Sequence, residues 1–152
     1  MQTVETSNQR TEHTVEGNLE AVRRLFHAVE HRDREGVMAI YDENIVINEA
    51  PSLPYGGEYR GPDGALRHGL GYRATWDRFQ PWTTRGLDPR FIAQGDYVVV
   101  VWRQKAENSE TGKSIDLPAV SVYRLASGKI VESRMLHFDT AALLNFLGDA
   151  DH

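Results

Sequence analysis

Cysteine is absent from the 152 residues. Its absence excludes a disulfide framework, a thiolate nucleophile and thiolate metal ligands, and it fits a reducing cytoplasm. No apolar run approaches the ~20 residues a membrane span requires. Residues 1–14 lack the apolar stretch of a secretory signal, and their polar composition predicts a disordered tail. Positive charge is also in deficit. Lys and Arg number 17 against 22 Asp and Glu, a formal net charge of -5. No Lys/Arg cluster offers a face to phosphates, so a nucleic-acid partner is not expected. Gly56-Gly57 lacks the following Lys and helix of a phosphate-binding loop. His27 and His31 stand four residues apart, but there is no HExxH pattern and no acidic third ligand beside them, so neither metal nor cofactor is expected. Ser114, Ser121 and Ser133 have no recognisable nucleophile context.

What is present describes one domain with one core, residues 15–150. Hydrophobic residues make up 40% and charged residues 26%, ordinary for a globular chain. Leu19, Val22, Leu25, Phe26 and Val29 recur at helical spacing and predict a helix from Val15 to His31 with one face on a sheet. Asp33 is placed to cap a short helix from Arg34 to Tyr41. Asn44 to Asn48 is a β-branched strand, followed by a loop around Pro51, Pro54, Gly56 and Gly57. Gly61-Pro62-Asp63 opens a third helix reaching Arg78. Strands follow at Arg90 to Ala93, Tyr97 to Lys105, Ile115 to Leu125 and Ile130 to Phe138, with hairpin signals at Gln94-Gly95-Asp96 and Ser127-Gly128. Asp139 or Thr140 caps a last helix, Ala141 to Leu147, closed by Gly148. The order α-α-β-α-β-β-β-β-α predicts an α+β fold. A curved, mostly antiparallel sheet forms a cone over the long first helix, and its open mouth is a natural place for a pocket.

Four stretches carry a resemblance to a known superfamily. They are Val29 to Glu49; Leu53-Pro54-Tyr55-Gly56-Gly57 with Tyr59-Arg60-Gly61; Gly95-Asp96 with Val98 to Val101; and Gly128 to Glu132 with His137-Phe138-Asp139-Thr140. Together they resemble the nuclear-transport-factor-2-like superfamily, in its SnoaL-like and ketosteroid-isomerase-like branch. That resemblance implies a small-molecule pocket and, commonly, a homodimer. It also implies a general-base carboxylate at the end of the first strand, where this chain has Glu49. Two positions depart from the isomerase pattern: Leu25 stands in place of the oxyanion-hole tyrosine, and Ser121 stands near the place of its acidic partner. The Arg/Asp constellation of limonene epoxide hydrolases has no counterpart around Trp102 and Arg103.

The residues themselves point to the same end of the sheet. Glu49 lies among Ile45, Ile47, Ala50 and Pro51, where desolvation favours the protonated acid. On the last strand, two-residue alternation puts Val131, Ser133, Met135 and His137 on one face, opposite Glu132 and Arg134. Glu49 and His137 are therefore the expected catalytic pair, base and assistant. Tyr41, Tyr55, Tyr72, Trp76, Phe79, Ser121 and Met135 are expected to line the site, with Arg60 placed to meet an anionic group. The expected activity is cofactor-free isomerisation or cyclisation of an apolar polyketide-, terpenoid- or steroid-like molecule, and the alternative is a protein that only binds one. Val98 to Trp102 is apolar on both faces, which leaves a face needing cover and agrees with a homodimer.

Overall fold

The structure is a computed structural model. It describes residues 14–148 in full, and only the helical backbone of 2–13 and 149–150 beyond them. Apart from Thr14, the disordered tail expected for residues 1–14 lies outside the fully described residues.

Among the described residues, four helices and six strands follow in the order α1 (Gln2–Glu30), α2 (Arg34–Met38), β1 (Tyr41–Glu49), β2 (Gly57–Arg60), α3 (Gly61–Trp76), β3 (Arg90–Gln94), β4 (Tyr97–Glu107), β5 (Ser114–Ala126), β6 (Lys129–His137) and α4 (Thr140–Ala150). The strands form one sheet in the order β2-β1-β6-β5-β4-β3. β3, β4, β5 and β6 are antiparallel neighbours joined by short turns, as expected. β1 and β6 pair in parallel. They are not joined by a turn, and the long intervening chain leaves their relative direction free. Register breaks in β1 between Tyr41 and Val46, and in β5 between Arg124 and Leu125, bend the sheet.

Several boundaries differ from the sequence reading. The sequence pattern gives a loop through Gly57 and no strand before the third helix, where the structure has β2. It is only four residues long and half exposed, too short for alternation to declare it, and it exists because Glu58 and Tyr59 find partners in Asn48 and Ile47 of β1. α2 stops at Met38, and Tyr41 begins β1 instead of ending the helix. α3 ends at Trp76 and continues as a 3-10 turn, Asp77–Phe79. α4 runs through Gly148 to Ala150. In β6 the bulge brings Ile130 to full burial ahead of Ser133, where simple alternation had selected Val131. The cap assignments hold: Gly36 N–H donates to Asp33 at 3.0 Å, and Ala142 N–H donates to Asp139 at 3.0 Å.

The apolar stripe of α1 packs on the concave face of the sheet. Val22, Leu25 and Phe26 meet Ile45, Ile47, Val98, Val100 and Trp102. α1 ends where Arg32 takes a left-handed φ of 58°. Its guanidinium donates to the carbonyls of Gln80, Trp82 and Thr83, and these bonds hold a backbone conformation disfavoured for a side chain with a Cβ. A second cluster packs α3 and α4 together through Leu53, Tyr55, Trp76, Phe79, Leu143 and Phe146. Gly56 lets the loop between β1 and β2 close tightly, since a Cβ there would clash with the carbonyl oxygens of Ala50 and Pro51.

Candidate active site

Strand parity decides which polar groups enter the cone. On β1, Ile45, Ile47 and Glu49 share the buried face, so the strand that builds the core ends by delivering a carboxylate into it. On β6 the same alternation brings Met135 and His137 inward. On β5 it brings Ser121 and Tyr123, and on β4 Trp102. α3 closes the other side with Ala65, His68, Gly69 and Tyr72, spaced as one helical face. Between these walls lies a cavity of about 130 Å³.

At its polar end Glu49 is held between two imidazoles. His68 Nε2 lies 2.9 Å from Oε2, and His137 Nε2 lies 3.2 Å from Oε1. Oε1 also accepts from the Ala50 backbone N–H at 3.1 Å. The side chains of Glu49 and His137 are each 3% exposed and that of His68 is 10% exposed. A carboxylate can only accept, so both Nε2 atoms carry the hydrogen and the ring orientations are defined. Each imidazole then has its Nδ1 left over. Nδ1 of His137 is buried with no protein partner.

The charge of Glu49 follows from this arrangement. Burial by itself would raise its pKa. Hydrogen bonds from His137 and His68, with the positive charge each ring can carry, outweigh burial and hold the carboxyl below its ordinary value. The consequence for stability has a definite sign. Between the ordinary and the lowered value the unfolded chain binds the extra proton, so stability falls as pH falls through that interval. The effect is at most about 1.4 kcal/mol per pH unit for one group. Urea unfolding of the wild type and Glu49→Gln between pH 6 and pH 3 should show the wild type losing more stability with acid. A steeper loss in the variant would reverse the sign argued here.

Four tyrosines surround this centre. Burial, and the negative charge of Glu49, push the hydroxyls of Tyr41 and Tyr55 up. Burial likewise raises Tyr72 and Tyr123. All four therefore remain protonated and can donate. Tyr72 is committed to Gln104 Oε1 at 2.9 Å, and Tyr55 accepts from Trp76 Nε1 at 2.7 Å. Tyr41 has no protein hydrogen bond among the described residues and lines the cavity. Ser121 accepts from Trp102 Nε1 at 2.9 Å and donates to Met135 Sδ at 3.0 Å, so its hydroxyl is already occupied.

Of the residues selected from sequence, Glu49, His137, Tyr41, Tyr55, Tyr72, Ser121 and Met135 line this one cavity. Three do not. Trp76 is fully buried and stacks on Phe146, while Phe79 meets the same ring edge-on, so both belong to the α3–α4 core. Arg60 points to solvent and pairs with Glu58 at 3.0 Å. Its place near the end of an edge strand puts it outside the cone. Sequence reading missed His68, Tyr123, Trp102 and the arginines of the cavity wall. A signal for His68 was present: it falls at helical spacing between Ala65 and Tyr72 on the face of α3 that must be buried.

The fold defines a class, the nuclear-transport-factor-2-like cone. Solved structures agree. TerC, co-crystallised with polyporic acid, superposes with a TM-score of 0.74 at 22% identity, over 87% of this chain and 98% of that one. Bal32a, from a soil-derived mobile gene cassette, gives 0.73 at 20% identity, over 88% and 98%. An NTF2-like protein of unknown function from Burkholderia pseudomallei gives 0.73 at 26% identity, over 86% and 97%. Within that class, residues 22–133 match the sequence model of the SnoaL-like domain, and the chain belongs to that family. No curated protein matches it in sequence. Among the described residues, no helix is long and apolar enough to cross a membrane.

Proposed function

We propose that the protein is a cofactor-free acid/base enzyme that isomerises or cyclises a small apolar molecule. The observation that carries this reading is the buried carboxylate of Glu49 bonded to Nε2 of both His68 and His137 at one end of an apolar cavity. The arrangement favours a different division of labour from the one expected of Glu49 alone. A carboxylate already accepting three N–H groups, and held below its ordinary pKa, is a weak base. As the anchor that fixes two imidazole tautomers it is well suited, since an anchored imidazole presents its free nitrogen as proton acceptor and returns the proton as acid. The Tyr41 hydroxyl supplies a donor for an oxyanion that develops as a carbon acid loses its proton. Leu25, at the position of the missing oxyanion-hole tyrosine, leaves that part of the wall apolar.

Cavity size narrows the substrate. A volume of about 130 Å³ is close to the ~150 Å³ engineered cavity that accepts benzene, so the enclosed part of the substrate is about one ring, not a steroid nucleus. TerC, which shares the fold, was crystallised with polyporic acid, and that supports a small organic occupant. The test is deuterium wash-in at the α-carbons of cyclopentanone and cyclohexenone, followed by proton NMR. Wild-type protein should accelerate exchange well above the buffer rate. Binding of these ketones without acceleration would favour the second reading, a non-catalytic binding protein. The occupied Ser121 hydroxyl, at the place of an acidic oxyanion partner, is the observation on that side.

The same proposal includes a homodimer through the convex face of the sheet. Ile92, Val101, Leu136 and Phe138 are 59%, 38%, 50% and 80% exposed. Val101 pairs with Val120, and Val120 with Leu136, which makes the patch continuous across three strands. A stable interface buries about 800 Å² per partner. Sedimentation should give a dimer at micromolar concentration and a shift toward monomer for Leu136→Glu. A wild-type monomer would remove this part of the proposal.

A further inference from the structure

The cavity lining carries more arginine than carboxylate, four Arg against Asp33 and Glu49. The four are Arg32, Arg34, Arg73 and Arg85. Three of them share one carboxylate: Asp77 lies 2.7 Å from Arg85 Nη2, 3.3 Å from Arg73 Nε and 3.8 Å from Arg32 Nε. Asp77 Oδ1 is buried and receives no aligned hydrogen bond from them.

The four guanidinium groups are not equivalent. Arg85 is committed to structure, donating to the Val29 carbonyl and to Gln80 Oε1. Arg32 is spent on the carbonyls of Gln80, Trp82 and Thr83. Arg34, the first residue of α2, is exposed and has no hydrogen bond or ion pair among the described residues. The adjacent acid, Asp33, is occupied in capping α2. Arg73 is partly exposed, its side chain at 41%, and keeps one edge free beyond its contact with Asp77.

These differences give the cavity a direction. Glu49 and His137 are buried on the sheet side. Val37, Met38 and Leu66 line it half-buried. Of the lining residues, Asp33, Arg34 and Leu70 are exposed and Arg73 is partly exposed, so the side open to solvent is the one that α2 and α3 supply. We infer that the cavity takes an amphipathic anion, an apolar body of about one ring whose carboxylate reaches a rim formed by Arg34 and Arg73. Guanidinium groups suit that role, because their planar fork matches a carboxylate and they remain charged throughout the working pH range. Beside low-dielectric apolar walls their attraction exceeds that of surface cations, yet exposure of the rim leaves it sensitive to salt.

The inference rests on the reading of the cavity as a small-molecule site, and it does not need the proton-transfer chemistry. Its test is therefore binding, measured by isothermal titration calorimetry with phenylacetate, 3-phenylpropionate and 4-phenylbutyrate against their neutral primary amides. At least one acid should bind about tenfold more tightly than its amide, with the preference shrinking at high salt. Arg34→Gln with Arg73→Gln should abolish the preference while leaving amide affinity and thermal midpoint nearly unchanged. Arg67→Gln, on the exposed side of α3 and outside the cavity lining, should leave the preference intact and so controls for general cationic attraction. Equal affinity for acids and amides overturns the inference. So does a preference that survives in the double variant, because the anion would then be read by the imidazoles. Failure of deuterium exchange with the carboxylate preference intact would instead count against the catalytic reading alone.

Discussion

Glu49→Gln is expected to reduce deuterium exchange, or turnover once a substrate is found, by about three to four orders of magnitude. The physical reason is the pairing of donors. The carboxylate accepts from His68 on one oxygen and from His137 on the other. A glutamine amide must aim its NH2 at one of those N–H groups. One ring then has to adopt the other tautomer or turn away, and the negative charge that stabilises a transient imidazolium is lost. Ligand affinity should change much less, because the apolar walls contributed by Phe26, Val37, Met38 and Leu66 are untouched. His68→Gln and His137→Gln, each measured separately, should each lower the rate while leaving the other imidazole anchored. Retention of most of the activity in Glu49→Gln would remove the carboxylate from the mechanism. Retention of activity in both histidine variants would return the base role to Glu49.

Trp76→Ala should destabilise the protein by about 3–5 kcal/mol, lowering its thermal midpoint by roughly 10 °C or more. Trp76 is fully buried, stacks on Phe146 with ring centroids 6.3 Å apart, and donates to the Tyr55 hydroxyl at 2.7 Å. Truncation leaves a cavity between α3 and α4 and an orphaned Tyr55 oxygen, and folded domains hold only about 5–15 kcal/mol in total. Because Trp76 lies outside the ligand cavity, the fraction that remains folded should bind phenylalkanoates nearly as well as the wild type. Trp76→Phe should recover a large part of the stability. A variant of normal thermal midpoint with lost binding would place the indole in the site after all.

The two variants separate what can be read along the chain from what cannot. Periodicity by itself carried the α+β class, the long first helix and the meander of late strands, because each of those patterns depends on residues two to four apart. Alternation along β6 was sufficient to turn His137 inward, the family resemblance and the apolar neighbours of Glu49 were sufficient to select that carboxylate, and local chemistry was sufficient for the caps at Asp33 and Asp139. Other features needed the folded chain. β2 exists only through its pairing with β1, and the parallel contact of β1 with β6 joins residues 86 to 89 positions apart in sequence. Trp76 and Phe79 read as pocket aromatics until α4, arriving from the far end of the chain, covers them with Phe146. His68 was visible as a helical residue, but its contact with Glu49 depends on how α3 lies across β1. The charge state of Glu49 likewise followed from tertiary structure, since desolvation and two imidazoles act on it in opposite directions and only their distances decide which prevails. Sequence therefore determined the local elements and the facing of single side chains, whose causes are short-range. Tertiary structure decided the grouping of His68, Glu49 and His137 and the excess of arginine over carboxylate at the cavity wall, because both depend on contacts between elements distant in the chain.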